Sequence, residues 1–158
     1  MPRPEIRTEF LFDLEVDLKA PDDLGVTPQG NRLIAIATGG AFAGPRLQGE
    51  VLGGGGDWLI RTPRGTGNLD VRITLRTHDG ALIYMTYGGR VALSDSLLAR
   101  MQAGDVLDPS TYYFRTAPYF ETAAEPYAWL NDLIAVGIGR IINQDGRNGV
   151  GYTVYAIL

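Results

Sequence analysis

The sequence predicts an all-β protein, a single closed antiparallel β-barrel of lipocalin or calycin type, with roughly eight to ten strands and one or two short helices. Three observations predict this class. Short segments of alternating apolar and polar residues recur along the chain, helical periodicity is nearly absent, and turn-forming residues separate the segments. A chain made of hairpins leaves strand edges unpaired, and closure into a barrel removes those edges.

One hairpin shows the alternation most clearly. Residues 69–76 alternate apolar with polar side chains, and residues 82–91 run back after the Asp79-Gly80 turn. Asp-Gly favours a two-residue hairpin because both positions tolerate positive φ. Strands with two different faces are therefore expected here.

The remaining elements follow from the same signals. Ile6–Leu18 predicts a long first strand with an acidic polar face, Pro21–Pro28 a loop, and Gly30–Ala37 a second strand. Gly39-Gly40 and Gly44-Pro45 predict a sharp bend between them. Further strands are expected at 47–51, 58–62, 111–121, 134–142 and 150–158, the last of which helps the first strand to close the barrel.

Two short helical segments are expected. Ser94 or Asp95 is a suitable N-cap for a helix that contains Leu97, Leu98 and Met101 and stops at Gly104. Pro126–Leu133 predicts a helical turn because proline is favoured in a first helical turn.

Composition limits the function classes. The 158 residues form one expected domain, residues 1–158, with a net charge of −4 that argues against a nucleic-acid partner. No apolar run approaches the length of a membrane span, and the first ten residues lack the apolar core of a signal peptide, so a cytoplasmic protein is expected. The absence of cysteine excludes disulfides, thiolate metal sites and cysteine nucleophiles.

Two weak chemical signals favour structural explanations. His78 is the only histidine and lies beside the Asp79-Gly80 turn, where a catalytic role is not expected. Gly53–Gly56 lacks the lysine and the following helix of a phosphate-binding loop, so a flexible bend is favoured. We expect no metal and no cofactor.

The candidate site residues combine carboxylates, arginines and aromatic rings. If the polar strand faces point into the lumen, they form a pocket for a small anionic or aromatic ligand. If they point outward, they are solvated faces with weak cross-strand pairs. Sequence leaves both orientations open. The residues concerned are Asp57, Arg72, Tyr84, Tyr113, Arg115, Glu121, Tyr127, Trp129 and Asn131.

Several motifs carry a family resemblance. They include the segment from Gly39 to Gly49, Asp57-Trp58, Asp70-Val71-Arg72, and the block Tyr113 to Thr122 followed by Tyr127-Ala128-Trp129-Leu130-Asn131. In this order the chain resembles uncharacterised protein family three-eleven, found in bacteria and fungi, over nearly its whole length. The resemblance implies a closed lipocalin-like barrel and no assigned activity. It also adds weight to the polar motif residues, which packing explains less readily than it explains glycines.

The leading functional hypothesis is a small-molecule-binding barrel. It could also be an acid/base enzyme without a cofactor: an isomerase, lyase or cyclase acting on a small organic acid or carbonyl compound. Glu121 or Asp57 would carry the proton, since burial in a dry lumen raises carboxylate basicity. Two arginines, Arg72 and Arg115, would hold an anionic group. Hydrogen bonds from Tyr84 and Tyr113 and stacking on Trp129 would complete the pocket, with Tyr127 and Asn131 as further ligand contacts.

Two alternatives remain open from sequence. The protein could be a non-catalytic carrier or sensor of a small aromatic or apolar metabolite, with the same pocket and an unchanged ligand. Alternatively, the lumen could be fully packed, with the motif residues forming a buried network of aspartates and arginines.

The sequence also predicts a homodimer. If Tyr113, Arg115 and Glu121 face the lumen, alternation directs Tyr112, Phe114 and Phe120 outward. Tyr87 and the apolar strand Ile134–Ile142 add to this expected outer apolar surface, which would need a cover. A two-fold dimer is expected because it is the commonest closed symmetry. If Tyr112, Phe114 and Phe120 point inward instead, this reason for a dimer no longer applies.

Overall fold

The computed structural model describes all residues, 1–158, and contains ten strands, one α-helix and two 3-10 segments. The strands are β1 (Thr8–Leu18), β2 (Asp22–Thr27), β3 (Gly30–Ala43), β4 (Gln48–Val51), β5 (Gly56–Arg61), β6 (Thr66–Thr77), β7 (Leu82–Ala92), β8 (Tyr113–Glu121), β9 (Ile134–Ile142) and β10 (Gly149–Ile157). The helix α1 spans Asp95–Gln102, and the 3-10 segments span Pro109–Thr111 and Glu125–Asp132.

The strands close into an antiparallel barrel. Strand β1 pairs with β10 on one side and with β3 on the other, so the sheet β1-β10-β9-β8-β7-β6 returns to its own start. Strands β4 and β5 both bridge β3 and β6 and together occupy one position in an eight-strand barrel. The predicted fold class is confirmed. None of the helical segments has the length and apolar character needed to span a bilayer.

Two predicted connections are wrong. The expected loop Pro21–Pro28 is largely strand β2, which pairs with β3 as a hairpin. The expected bend at Gly39-Gly40 is absent, and β3 continues to Ala43. Gly40 has a φ of 141°, and a Cβ there would lie 2.0 Å from the carbonyl oxygen of Glu15. The glycine therefore allows β1 and β3 to approach closely, which is how the barrel closes.

The predicted turn and helix signals are largely confirmed. Ser94 caps α1, with its hydroxyl accepting a hydrogen bond from the N–H of Leu97 at 3.2 Å. The β6–β7 hairpin turns through Gly80 at a φ of 89°, and Asp79 keeps a negative φ. The turn thus needs one left-handed residue and not two.

The barrel interior is packed with side chains. A single core cluster of 25 buried residues fills it, including Phe12, Leu14, Tyr152 and Val154. Close-packed interiors leave few voids larger than a water molecule. The barrel therefore lacks the spacious ligand cavity that a lipocalin-like interior implied.

The inward and outward faces of strand β8 are the reverse of those expected for a ligand-filled lumen. Phe114 and Phe120 point inward and are 2% and 7% exposed, whereas Tyr113 and Tyr119 point outward and are more than half exposed. Tyr112 is also buried, as is Tyr87 of β7. The predicted outward aromatic row is wrong, because these rings supply the volume that fills the barrel. The outward aromatic row from which a homodimer was expected is therefore absent.

Strand β9 directs its small residues inward and its large ones outward. Ala135, Gly137 and Gly139 face the interior, and a Cβ added to Gly139 would lie 2.4 Å from the ring of Phe114. Ile134 and Ile138 are consequently exposed on the outer wall. The glycines make room for aromatic rings that arrive from the neighbouring strand.

Gly139→Ala is expected to lower the free energy of unfolding by about 1–3 kcal/mol, because the new methyl group forces the buried Phe114 ring to move. Gly88→Ala is the matched control. A Cβ at Gly88 meets only the Leu69 carbonyl oxygen at 3.6 Å, an ordinary contact, so a change within about 0.5 kcal/mol is expected. Urea unfolding of the two variants measures the difference, and equal stabilities would contradict this packing account.

Candidate active site at the open end of the barrel

The two ends of the barrel differ in how tightly they are packed. At one end the rings of Phe12, Phe42 and Phe120 meet edge to face with centroids 5.6–5.9 Å apart, which closes that end. At the other end the inward side chains are only partly buried, among them Leu59 and Val91. We call this second end, where β5, β6 and β7 reach Arg61, Thr66 and Ala92, the open end.

Asp57 is a carboxylate on the inner face near the open end. Asp57 is paired with Val71 of β6 and with Ala35 of β3. Because paired residues share a face and Val71 points inward, the Asp57 side chain also points inward. The β5–β6 pairing is interrupted between Asp57 and Ile60. The backbone N–H of Asp70 therefore donates to Oδ1 of Asp57 at 3.0 Å. The carboxylate thus takes the place of a missing backbone partner in the barrel wall.

Two buried phenols lie beside Asp57. Tyr87 of β7 and Tyr152 of β10 meet edge to face, with ring centroids 5.1 Å apart. Burial is the main cause that raises the pKa of each phenol, and the charge of Asp57 raises both further. The neighbouring Tyr87 phenol adds to the rise of the Tyr152 pKa. Both phenols therefore stay protonated and act as hydrogen-bond donors.

These three side chains border a small cavity of about 20 Å³. Apolar residues form most of its wall, including Val16, Ile73 and Val150. A cavity of this size holds about one water molecule, or one hydroxyl or methylene group of a ligand. The site can accept the reacting end of a small molecule but cannot enclose a whole one.

Burial also shifts the proton equilibrium of Asp57. Removal from water raises the pKa of this carboxyl to about 6, although the hydrogen bond from the Asp70 N–H opposes the shift. The nearby carboxylate of Asp70 raises the pKa of Asp57 further. A pKa near neutrality suits a group that both accepts and donates a proton at physiological pH.

The structure places most of the sequence-predicted site residues outside the barrel. Arg72, Tyr84, Tyr113, Arg115 and Glu121 all lie on the outer wall. The guanidinium of Arg72 lies 3.9 Å from Asp70, and that of Arg115 lies over the Tyr113 ring at 5.1 Å. The lumen pocket expected from them does not form, because the apolar residues between them fill the interior. Only Asp57 faces the cavity.

Three further predicted residues make local contacts at the closed end. The Tyr127 hydroxyl donates to Asp79 at 2.8 Å, which ties the 3-10 segment Glu125–Asp132 to the β6–β7 turn. Arg46 stacks over the Trp129 ring at 3.6 Å. Asn131 accepts from the N–H of Thr122 and donates to its carbonyl oxygen, as a structural clamp. None of these three lies near Asp57.

Sequence reasoning did not select Tyr87 or Tyr152 as candidate site residues. The sequence did indicate that Tyr87 points inward, because it follows the apolar residues Ile83 and Met85 at every second position of the same strand. Tyr152 and its neighbours on β10 had no such signal. They do not show which face of the strand is buried.

The fold and this site define a class: a closed antiparallel β-barrel with a titratable carboxylate and two phenols at one end. The chain belongs to the family described as protein of unknown function DUF3237, which it matches over residues 6–157. It is 33% identical to a UPF0311 protein of Clostridium acetobutylicum over 84% of both chains. The family resemblance predicted from the motifs is confirmed.

Solved structures show the same barrel. A β-barrel-like protein of Acinetobacter baumannii is 37% identical, covers 99% of both chains and has a TM-score of 0.84. A protein of unknown function from Rhodopseudomonas palustris has a TM-score of 0.92 at 29% identity and covers 99% of this chain and all of the other. The chain is also 29% identical to the hydroalkoxylation enzyme phnH of Penicillium herquei, over 72% of this chain and 60% of that protein.

Asp57→Asn is expected to stabilise the protein at pH 8 by up to about 3 kcal/mol and to have little effect at pH 4. The folded state binds the Asp57 proton more tightly than the unfolded state does, since the pKa rises from 3.8 to about 6. The folded protein therefore loses stability as pH rises through this interval, and asparagine removes that loss. Urea unfolding at both pH values measures the difference in stability between Asp57→Asn and the wild type, with Asp132→Asn, at an exposed carboxylate, as control. A pH-independent difference would contradict the shift.

Proposed function

We propose that the protein is an acid/base enzyme that needs no metal or redox cofactor and acts on a small unsaturated or carbonyl compound. One observation carries the proposal: a carboxyl with a pKa of about 6 borders a small apolar cavity together with two protonated phenols. Desolvation and neighbouring groups shift pKa values in this way at sites of proton transfer. Cytoplasmic location, as expected from the sequence, remains part of the proposal.

The three side chains take different roles in the proposed reaction. Ionised Asp57 removes a proton from a hydroxyl or an activated carbon and, once protonated, returns it to another carbon. Tyr87 and Tyr152 donate hydrogen bonds to an oxygen on which negative charge develops. The apolar wall excludes water, which strengthens both interactions. Isomerisation, elimination and intramolecular addition are all compatible with this arrangement.

Similarity to an enzyme of known reaction type favours one member of this set. The name hydroalkoxylation describes addition of an O–H bond across a carbon–carbon double bond. In that step the oxygen forms a C–O bond, the proton moves to the other alkene carbon, and no atom or electron is gained or lost. One proton carrier and hydrogen-bond donors suffice for it. We therefore propose intramolecular addition of this kind as the first reaction to test.

The alternative function as a carrier of a whole metabolite has less support. Ligand-binding cavities usually measure about 300–1,000 Å³. The internal cavity beside Asp57 measures about 20 Å³, so a carried metabolite would remain mostly outside the barrel. Mass spectrometry of molecules that co-purify with the protein separates the two functions, since a carrier releases its ligand unchanged.

Asp57→Asn is expected to lower turnover at least about 100-fold, the usual contribution of a positioned proton carrier. Tyr152→Phe is expected to lower it less, because Tyr87 keeps one donor in place. The assay incubates the protein with alkenyl phenols and unsaturated alcohols and detects a cyclic ether of unchanged mass by chromatography and NMR.

Two further variants make this assay decisive. Asp132→Asn, at an exposed carboxylate, should retain full turnover. Glu121→Gln tests the sequence-based expectation that Glu121 carries the proton, and full turnover is expected because its side chain lies on the outer wall. Loss of turnover in Glu121→Gln with retention in Asp57→Asn would overturn the proposed site.

A further inference from the structure

Arg61 is an arginine on the inner face at the open end. It pairs with Gly67 of β6, and a Cβ added to Gly67 would point at the inward side chains of Val91 and Leu59. Residues directly opposite in an antiparallel pair share a face, so Arg61 also points inward. Val91 and Leu59 fill the space over Gly67 and form an apolar surface beside the Arg61 stem.

Arg61 has no partner for its buried donor. Its Nε is buried and makes no hydrogen bond, and the guanidinium forms no ion pair within 4 Å. The charge of Arg61 lowers the pKa of nearby Asp23, but Asp23 forms no ion pair with it and accepts hydrogen bonds from Gly25 and Asn31 instead. By contrast, Arg72 and Arg140 both pair with carboxylates. An unpaired buried donor costs free energy, and a bound acceptor would remove that cost.

We propose that Arg61 is the anion-binding subsite of the active site and that the substrates are small organic anions carrying a carboxylate or phenolate. This inference rests on the proposed function, because it concerns the same open end. Asp57 and Arg61 lie four residues apart on one face of β5, which separates their Cα atoms by roughly 13 Å. With Leu59 between them as an apolar floor, this spacing fits a molecule with an anionic group at one end and the reacting group at the other.

Binding of a matched pair of probes tests this subsite without requiring turnover. Cinnamate and its neutral amide have the same shape and differ in charge at pH 7.5. We expect wild-type protein to bind cinnamate at least about 10-fold more tightly by calorimetry, because a guanidinium fork matches a carboxylate. Arg61→Gln should bring the two affinities together, and Arg61→Lys should restore part of the preference. Arg72→Gln, on the outer wall, should retain it.

The outcomes separate this inference from the proposed function. An Arg61-dependent preference in a protein without turnover supports the subsite and rejects the catalytic proposal. Asp57-dependent turnover with an anion preference unchanged in Arg61→Gln overturns the subsite and leaves the catalytic proposal intact. Equal binding of both probes by the wild type, or binding of neither, also overturns the subsite. Circular dichroism confirms that each variant is folded.

An independent observation concerns the outside of the barrel. Exposed apolar side chains from strands β1, β8 and β9, linked across β10 by half-buried Tyr155, form a surface that we call the outer apolar face. It consists of Phe10, Tyr113, Tyr119, Ile134, Val136 and Ile138. With about 200 Å² per aromatic side chain, the three rings alone expose roughly 300 Å². This already equals the size of a large apolar patch on a typical monomer.

We infer that a second copy of this chain covers the outer apolar face. Strand β9 places isoleucines outward and glycines inward, so its largest apolar area is available only to a partner. The same face carries charges of both signs, with Arg115 and Glu121 six residues apart on β8. A second copy therefore brings a carboxylate for each guanidinium and a guanidinium for each carboxylate, together with an equal apolar area.

Sedimentation equilibrium at about 20 µM tests this contact. We expect wild-type protein to have at least twice the 17.1 kDa mass of the chain. Ile138→Glu should shift it to the monomer and remain folded, because Arg115 lies directly opposite and can pair with the new carboxylate. Val26→Glu changes an exposed apolar residue of the β2–β3 hairpin and should leave the mass unchanged. A monomeric wild type, or an unchanged mass in Ile138→Glu, would overturn the inference.

Discussion

Closure of the barrel between β1 and its two partners is the constraint on which the rest of the structure depends. Once β1 pairs with both β10 and β3, every strand has one face directed into a narrow interior. That interior must be filled at protein density, and aromatic rings from several strands fill it. Space on the inside is therefore scarce. Small residues such as Gly139 are required wherever a ring from a neighbouring strand enters, and large side chains on the same strand are directed outward.

The candidate site lies where this filling is incomplete. Near Asp57 the β5–β6 pairing opens, and a carboxylate provides the acceptor that the backbone lacks. The same placement removes the carboxylate from water and raises its pKa to about 6. Stability and chemistry are linked here, because the charged form that can accept a proton is also the form that burial destabilises. The full cost in stability is reached above pH 6, and the proposed catalytic role would give a reason for the chain to retain this carboxyl.

The outer wall is chemically distinct from the inner one. The block from Tyr113 to Glu121, which carries much of the family resemblance, presents its aromatic and charged side chains outward. Inward residues of this block, such as Phe114, serve packing. Distinctive residues on an outer wall are better explained by contact with another molecule than by the interior. The proposed proton transfer at the open end and the proposed contact with a second chain on the wall would thus be separate functions of one barrel.

The sequence by itself determined the all-β class, the closed antiparallel barrel and the capped helix at Ser94. These follow from local signals: a two-residue period, capping chemistry, and turn residues that act within a few positions of the chain. Only the tertiary structure decided which face of β8 is inside, because alternation gives two faces and does not say which one the other strands cover. It also decided that Tyr87, Tyr152 and Asp57 meet. These residues lie on three different strands, and only the register of the closed barrel brings them to one end.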